Sequence, residues 1–400
     1  MAKYIPQNQQ ANVTIAQGPW PVGMNNRQPD HALPNGALRN AVNIDLDESG
    51  HARRRAGYTK AVGGVGLRGG YSCDLGAFVV RGTDLCRFNP DKTLTVLATG
   101  ITGPTPAYAY FNNEVYFTDG VVCKVISAGG VRTWGQPVPL PSTSGVNLTT
   151  AATGTYLVAV TTVDADGRES GASDVSTITV TNPSGTGTVT ATSTATRRVY
   201  VSKANGTTLY LDGTGTELKT RDIGPPPPGR LVAVHKGRPC IASGSVLWVS
   251  EPFAPDWFNR ISGFMQFPGE IDVLLAVDGG LYVVADQTYF LRGNGPEDFQ
   301  VTTVLPYGAL YGTGAHVPFS EDVVWYSVRG VVYGTQDGQV RNIQEANVAT
   351  HAGTQGATLV REQDGLRQVV TSVQGASVSS LAASSWVEME VVRKAGGHKP

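Results

Sequence analysis

The segment Gly280–Leu291, GLYVVADQTYFL, runs a short apolar stretch centred on Tyr282 into a polar turn and returns as a second apolar stretch. That is the pattern of a β-hairpin. It recurs at Ala77–Phe88 (AFVVRGTDLCRF), Glu114–Val125 (EVYFTDGVVCKV) and Val323–Gly334 (VVWYSVRGVVYG), and more weakly at Ser245–Glu251 (SVLWVSE) and Leu366–Val378 (LRQVVTSVQGASV). With Phe78, Tyr116, Trp248, Tyr282, Trp325 and Val369 taken as equivalent points, the intervals are 38, 132, 34, 43 and 44 residues. A period of roughly 40 residues built from hairpins fits one four-stranded blade of a β-propeller, whose sheets pack on one another because none can bury its faces alone. The expected fold class is all-β: a propeller-like repeat of hairpin blades.

The one long interval holds an insertion, residues 144–223, where composition turns toward Thr, Ser, Gly and Val. Gly154–Val163 alternates with period two, the polar turn Asp164–Ser170 follows, and Val175–Thr181 alternates again, as strands of a half-buried sheet do. These residues resemble a fibronectin type III-like sandwich, although the usual core tryptophan is absent, so an abridged sandwich and a plain β insertion both stay open. Three regions result: 1–143, an N-terminal closing segment and the first blades; 144–223, the inserted sandwich-like module; 224–400, the remaining blades and a C-terminal strand. The run Pro225–Pro228 between the last two is stiff and extended. The expected short helix lies over Pro34–Val42, with Asn35 capping Ala37, Leu38 and Ala41.

Composition bounds the function. In 400 residues, 49 Gly and 24 Pro are spread between Val-, Thr- and Tyr-rich runs, and 40% hydrophobic content argues against disorder. Lys plus Arg (31) balances Asp plus Glu (32), so nothing global draws the chain to phosphate or anionic lipid. Met1–Gln10 lacks the basic start and apolar run of a signal peptide, and no stretch is long enough to span a bilayer, so synthesis in the cytoplasm without a membrane anchor is expected. Cys73, Cys86, Cys123 and Cys240 form no C-x-x-C pair and read as buried free thiols, which makes the sequons at Asn12, Asn147 and Asn205 irrelevant.

No catalytic constellation emerges. His31, His51, His235, His316, His351 and His398 are scattered, Gly308–Gly314 lacks the lysine of a phosphate loop, and no serine sits in G-x-S-x-G. Asp45–Gly50 starts like a calcium loop, but its twelfth position is Ala56 where a bidentate Glu is needed. Asp164, Asp166 and Glu169 read as a solvated turn rather than a cation site. The chain is therefore expected to be no enzyme and to carry no cofactor or metal. Two segments stand out as candidate oligomer or partner contacts. Arg53, Arg54 and Arg55 would alternate faces in a strand, so at most two share a surface, and salt bridges are preferred to DNA phosphate contacts. Phe253, Trp257 and Phe258, with Phe264 and Phe267 among prolines, read either as a blade core with a stiffened crossing or as an exposed patch that docks a neighbouring subunit.

The stretch Pro34–Tyr58, PNGALRNAVNIDLDESGHARRRAGY, has an Asn-rich lead, a strand, a polar Gly turn and an Arg-x-Gly-Tyr close. It resembles the opening of tail nozzle and packaged-DNA stabilisation proteins of short-tailed bacteriophages. The resemblance implies a virion protein assembled in the bacterial host cytoplasm, forming a ring of itself, six copies in expectation. Such a ring would meet portal, adaptor or other tail proteins and continue the DNA channel, retaining DNA without gripping it. A phage tail-tip or receptor-binding protein is the alternative, and a lectin-like or carbohydrate-active propeller is the third reading. Independently of any family, Asn43–Leu46 and His51–Arg55 can pair about Glu48-Ser49-Gly50, and an N-terminal strand pairing with a C-terminal blade would remove the free edge of the array; the tail strand Val387–Val392 likewise needs a neighbour.

Overall fold

Tight turns cut the chain into strands of about five residues. Asn112-Asn113 and Lys236-Gly237 join neighbouring strands with both residues at positive φ (52° and 58°, 50° and 74°), the mirror-image turn whose twist matches that of a hairpin. Asn and Gly tolerate that region, whereas β-branched residues on either side do not. The computed structural model describes residues 18–47, 49–55, 57, 59–60, 62, 66–149, 151–181, 189–349, 353–363, 366–374 and 387–393. Met1–Gln10, Asn12, Glu48, Ala56, Tyr58, His351, His398 and the end of Leu366–Val378 lie outside the described residues.

Among the described residues six antiparallel sheets follow one another as blades of a β-propeller. Blade 1 comprises Leu67–Cys73, Gly76–Arg81, Asp84–Phe88 and Leu94–Ala98; blade 2, Ala107–Phe111, Glu114–Thr118, Cys123–Ser127 and Gly130–Thr133. Blade 4 comprises Val273–Val277, Gly280–Val284, Thr288–Arg292 and Gln300–Leu305; blade 5, Ala315–His316, Val323–Ser327, Gly330–Gly334 and Val340–Asn342. Blade 3 starts with Leu231–His235, Arg238–Ser243 and Val246–Glu251, and then its last strand divides. After a register shift at Ser250/Glu251, Ala254–Asn259 peels away to pair with Ile223–Gly224, and Phe264–Gln266 returns to pair with Val246–Trp248. Blade 6 has three strands, Gln355–Gln363, Leu366–Gln374 and Val387–Arg393, so the tail strand finds its neighbour within its own blade.

The stability of the array lies between blades. Phe78, Val80, Ile101, Val115 and Phe117 fill the space between blades 1 and 2, and Tyr116, Trp134, Val232, Ile241 and Phe258 fill that between blades 2 and 3. Comparable clusters join blades 3 to 4, 4 to 5 and 5 to 6. Each fully buried aromatic or leucine contributes on the order of 2 kcal/mol from area removed from water. None of these clusters spans blades 6 and 1 among the described residues.

Three expectations need correction. Trp248 is not equivalent to Phe78 and Tyr282: Ser245–Glu251 holds the third strand of its blade, and Ile241 on Arg238–Ser243 occupies the second-strand position. The helix over Pro34–Val42 does not form. Gly36 stands at φ 81°, and Ala37–Leu38 instead pairs in parallel with Gly23–Met24; four apolar residues next to Gly and Pro cannot sustain a helical nucleus. The N-terminal hairpin Ile44–Leu46/Ala52–Arg54 forms, but it pairs with itself, and no strand of a C-terminal blade joins it among the described residues. Its link to blade 6 is ionic. Asp45, almost fully buried, accepts a bond from Arg55 (3.1 Å) and lies 3.7 Å from Arg361 on Gln355–Gln363. Val360 packs toward blade 5, so Arg361, its neighbour on an alternating strand, faces the other way, toward the seam with blade 1.

The insertion folds as a four-stranded sheet, ordered Ser176–Val180, Gly154–Thr162, Arg197–Ser202, Leu209–Leu211, and a two-stranded sheet of Val146–Asn147 and Thr190–Ala191. Tyr156, Val158, Val160, Val199 and Val201 pack toward the smaller sheet. The opposite face, with Ala159 and Tyr200, is covered by Ala172, Val175 and Leu218.

Candidate functional site

Antiparallel strands that start on the inside of each blade surround a central channel of about 760 Å³. Its wall comes from the first strands of all six blades, through residues such as Tyr71, Tyr108, Val232, Leu275, His316 and Ala357. A cavity of this size takes a small molecule and has no room for a nucleic-acid duplex. At one mouth Arg230 bonds Asp272 (3.1 Å) and Glu270 (3.2 Å) and lies over the Tyr311 ring at 4.4 Å. Burial raises the Asp272 carboxyl above its ordinary range, with Arg230 acting the other way. Toward the other mouth stands His316, exposed on the short first strand of blade 5.

A second concentration of charge lies where the insertion meets blades 2 and 3, around a cleft of about 620 Å³. Arg132 bridges Glu114 (3.2 Å) and Asp256 (2.9 Å), Arg168 reaches Asp256 at 3.8 Å, and Trp257 donates its indole N–H to the Glu169 carbonyl at 2.9 Å. Gln136 adds a bond to Asp164. Burial raises the pKa of Asp256, Arg132 opposes that shift, and the nearby Glu114 reinforces it. Salt bridges, an indole bond and the Ile223–Asn259 strand pair thus fasten the module to the propeller rim.

The carboxylates of the acidic turn are all engaged within the chain. Asp164 accepts backbone N–H bonds from Asp166 and Arg168, Asp166 pairs with Arg168 at 2.7 Å, and Glu169 is shared by Thr161, Arg198 and Tyr200. Asp45 is likewise engaged by Arg55 and Arg361. Among the described residues no group of three His, Cys, Asp or Glu is placed to hold a metal, and no helix is long and apolar enough to cross a membrane.

The six residues chosen from the sequence separate. Arg53 and Arg54 are exposed on their strand, while Arg55 turns inward to Asp45. Phe258 is core, packed edge-on against Trp134 (centroids 5.8 Å). Trp257 serves the junction with the insertion. Of the three aromatics Phe253 alone projects, 102% exposed at the Pro252-Phe253 turn with φ 58°. A left-handed backbone at a bulky side chain costs about 1 kcal/mol. The sequence reading missed a second such turn, Pro318-Phe319, where Phe319 is 95% exposed at φ 56°. The repeated Pro-Phe dipeptide, each time followed by small and acidic residues, was its available signal.

No family model matches the sequence, and no curated protein matches it. Among solved structures the chain is similar to BBS1N in complex with ARL6DN, soaked with lead (TM-score 0.36, 12% identity, 86% of this chain and 98% of that one). It is similar also to Citrobacter koseri AztD (0.33, 11%, 82% and 87%) and to the Neurospora crassa Pan2 WD40 domain (0.31, 11%, 75% and 83%). The β-propeller assignment rests on the order of the sheets themselves.

Proposed function

We propose that this chain is a structural subunit of a bacteriophage tail, assembling with copies of itself into a ring or nozzle that continues the DNA channel, retains packaged DNA and supports the tail tip. The observation that carries the reading is the stretch Pro34–Tyr58, whose resemblance to nozzle proteins is joined by a physical role. Its hairpin anchors on blade 6 through Asp45 and Arg361, at the seam of the array. The conduit for DNA lies between copies, since a channel of about 760 Å³ inside one propeller holds only a small ligand.

Electrostatics support a passage that does not grip its contents. Of the three consecutive arginines only Arg53 and Arg54 are exposed, and the chain's net charge of -1 gives no global attraction to phosphate. The role is structural rather than catalytic. A subunit of this kind copurifies with the virion and binds isolated portal or adaptor rings. Copurification with pull-down of purified chain on those rings tests the reading; specific adsorption of the chain to host cells without ring binding would overturn it in favour of a tail-tip protein.

A further inference from the structure

Strands alternate in direction within each blade, so the links between first and second strands and between third and fourth strands all emerge on one face of the propeller. Phe253 lies in the third-to-fourth link of blade 3, and Phe319 lies in the first-to-second link of blade 5. The two nearly fully exposed Pro-Phe turns therefore share a face. Both phenylalanines hold a left-handed backbone that bulky residues avoid, and both leave an entire ring in water. Neither feature benefits the isolated chain. Each proline fixes the turn and presents the ring as a rigid anchor of the kind that fills a partner's pocket.

The links of this face also carry exposed acidic residues, Asp74, Asp91, Asp278, Glu321 and Asp337, with Glu297 paired to Arg238, against the exposed Lys92 and Lys236 and Arg292 at the strand end beside them. The complementary surface is present in the same chain. Arg53 and Arg54 stand exposed on the hairpin that Asp45 holds to Arg361 of blade 6, a patch separate from the Phe253 and Phe319 turns of blades 3 and 5. We infer that a second copy docks here, its Arg53–Arg54 hairpin meeting the acidic Phe253/Phe319 face. Two different patches of one chain make a head-to-tail contact, which closes into a ring when its rotation permits. This inference rests on the ring reading proposed above and names its contact.

The test uses full-length chains in sedimentation velocity and native mass spectrometry over a range of concentration and salt. The wild type associates, more weakly at high salt. A Phe253→Ser/Phe319→Ser chain and an Arg53→Glu/Arg54→Glu chain each lose self-association by more than about tenfold, with thermal melting showing both folded. Mixed together they form a one-to-one pair, because each retains the patch the other lacks. Variants that associate as the wild type does, or a mixture that stays monomeric, overturn the inference while leaving the ring reading to virion imaging. A wild type that stays monomeric at every concentration overturns it as well.

Discussion

The Tyr282 ring lies 5.3 Å from the Trp325 ring, tilted by 47°, across the interface between blades 4 and 5. The two residues occupy the second strands of adjacent blades and face each other, Tyr282 forward and Trp325 back. The Tyr282 hydroxyl donates to the Thr335 carbonyl at 2.6 Å, whereas the buried Trp325 indole N–H has no acceptor among the described residues. Trp325→Ala should therefore destabilise by about 3–5 kcal/mol. Trp325→Phe should lose far less, because it removes an unsatisfied donor. Urea unfolding of both variants checks the order; an equal loss in the two would contradict this packing.

Asp45 should govern how well blade 6 is held. Its carboxylate, 4% exposed, lies between Arg55 and Arg361, and removing one partner of a buried pair costs about 3–5 kcal/mol. Asp45→Ala is expected to raise hydrogen exchange along Gln355–Gln363 while leaving blade 3 protected. Unchanged exchange in blade 6 would show that the hairpin does not hold the seam.

Stability should fall as pH drops through the histidine range. His235 is buried with Nε2 2.8 Å from the Gly293 carbonyl, and burial holds its pKa below the ordinary 6.5. Between the depressed folded value and 6.5 the unfolded chain binds more protons, so its population grows with acid. The stability is fully present above pH 6.5 and is lost as pH falls toward the folded value. His235→Gln, which keeps a donor for Gly293, should flatten part of this slope in urea midpoints measured from pH 7.5 to 5.5. A slope identical to that of the wild type would exclude His235 as its source.

Deletion of 144–223 with a short Gly-Ser bridge should leave a folded propeller of reduced stability. It strands the Trp257 indole, takes Arg168 away from Asp256 and removes Ile223, the strand partner of Asn259. Circular dichroism and thermal melting check this. Loss of the cooperative transition would mean that the module and the blades form one folding unit.

Hairpins with an aromatic or valine at the centre of the strand were legible, because alternation and polar turns are local signals. Blade 3 was misregistered by one strand. Its second strand, RPCIAS, opens on Arg-Pro and carries no aromatic, whereas Trp248 on the next strand imitates the repeat. The closing interaction was placed in the right segment but given the wrong chemistry. A carboxylate meeting an arginine more than three hundred residues away leaves no pattern that periodicity detects. The same holds for Arg55, whose inward turn depends on Asp45, and for Trp257, whose partner Glu169 lies in another module. Phe319 escaped because a single aromatic in a polar loop resembles a core residue until its exposure is known.

Electron microscopy of the virion neck and tail decides whether the chain forms the conduit. A nozzle subunit gives a symmetric ring of these propellers continuing the portal channel, each with its module fastened between blades 2 and 3 and with the DNA path running between copies. Particles that lack this chain, or that carry it as single propellers outside the conduit, would contradict that role.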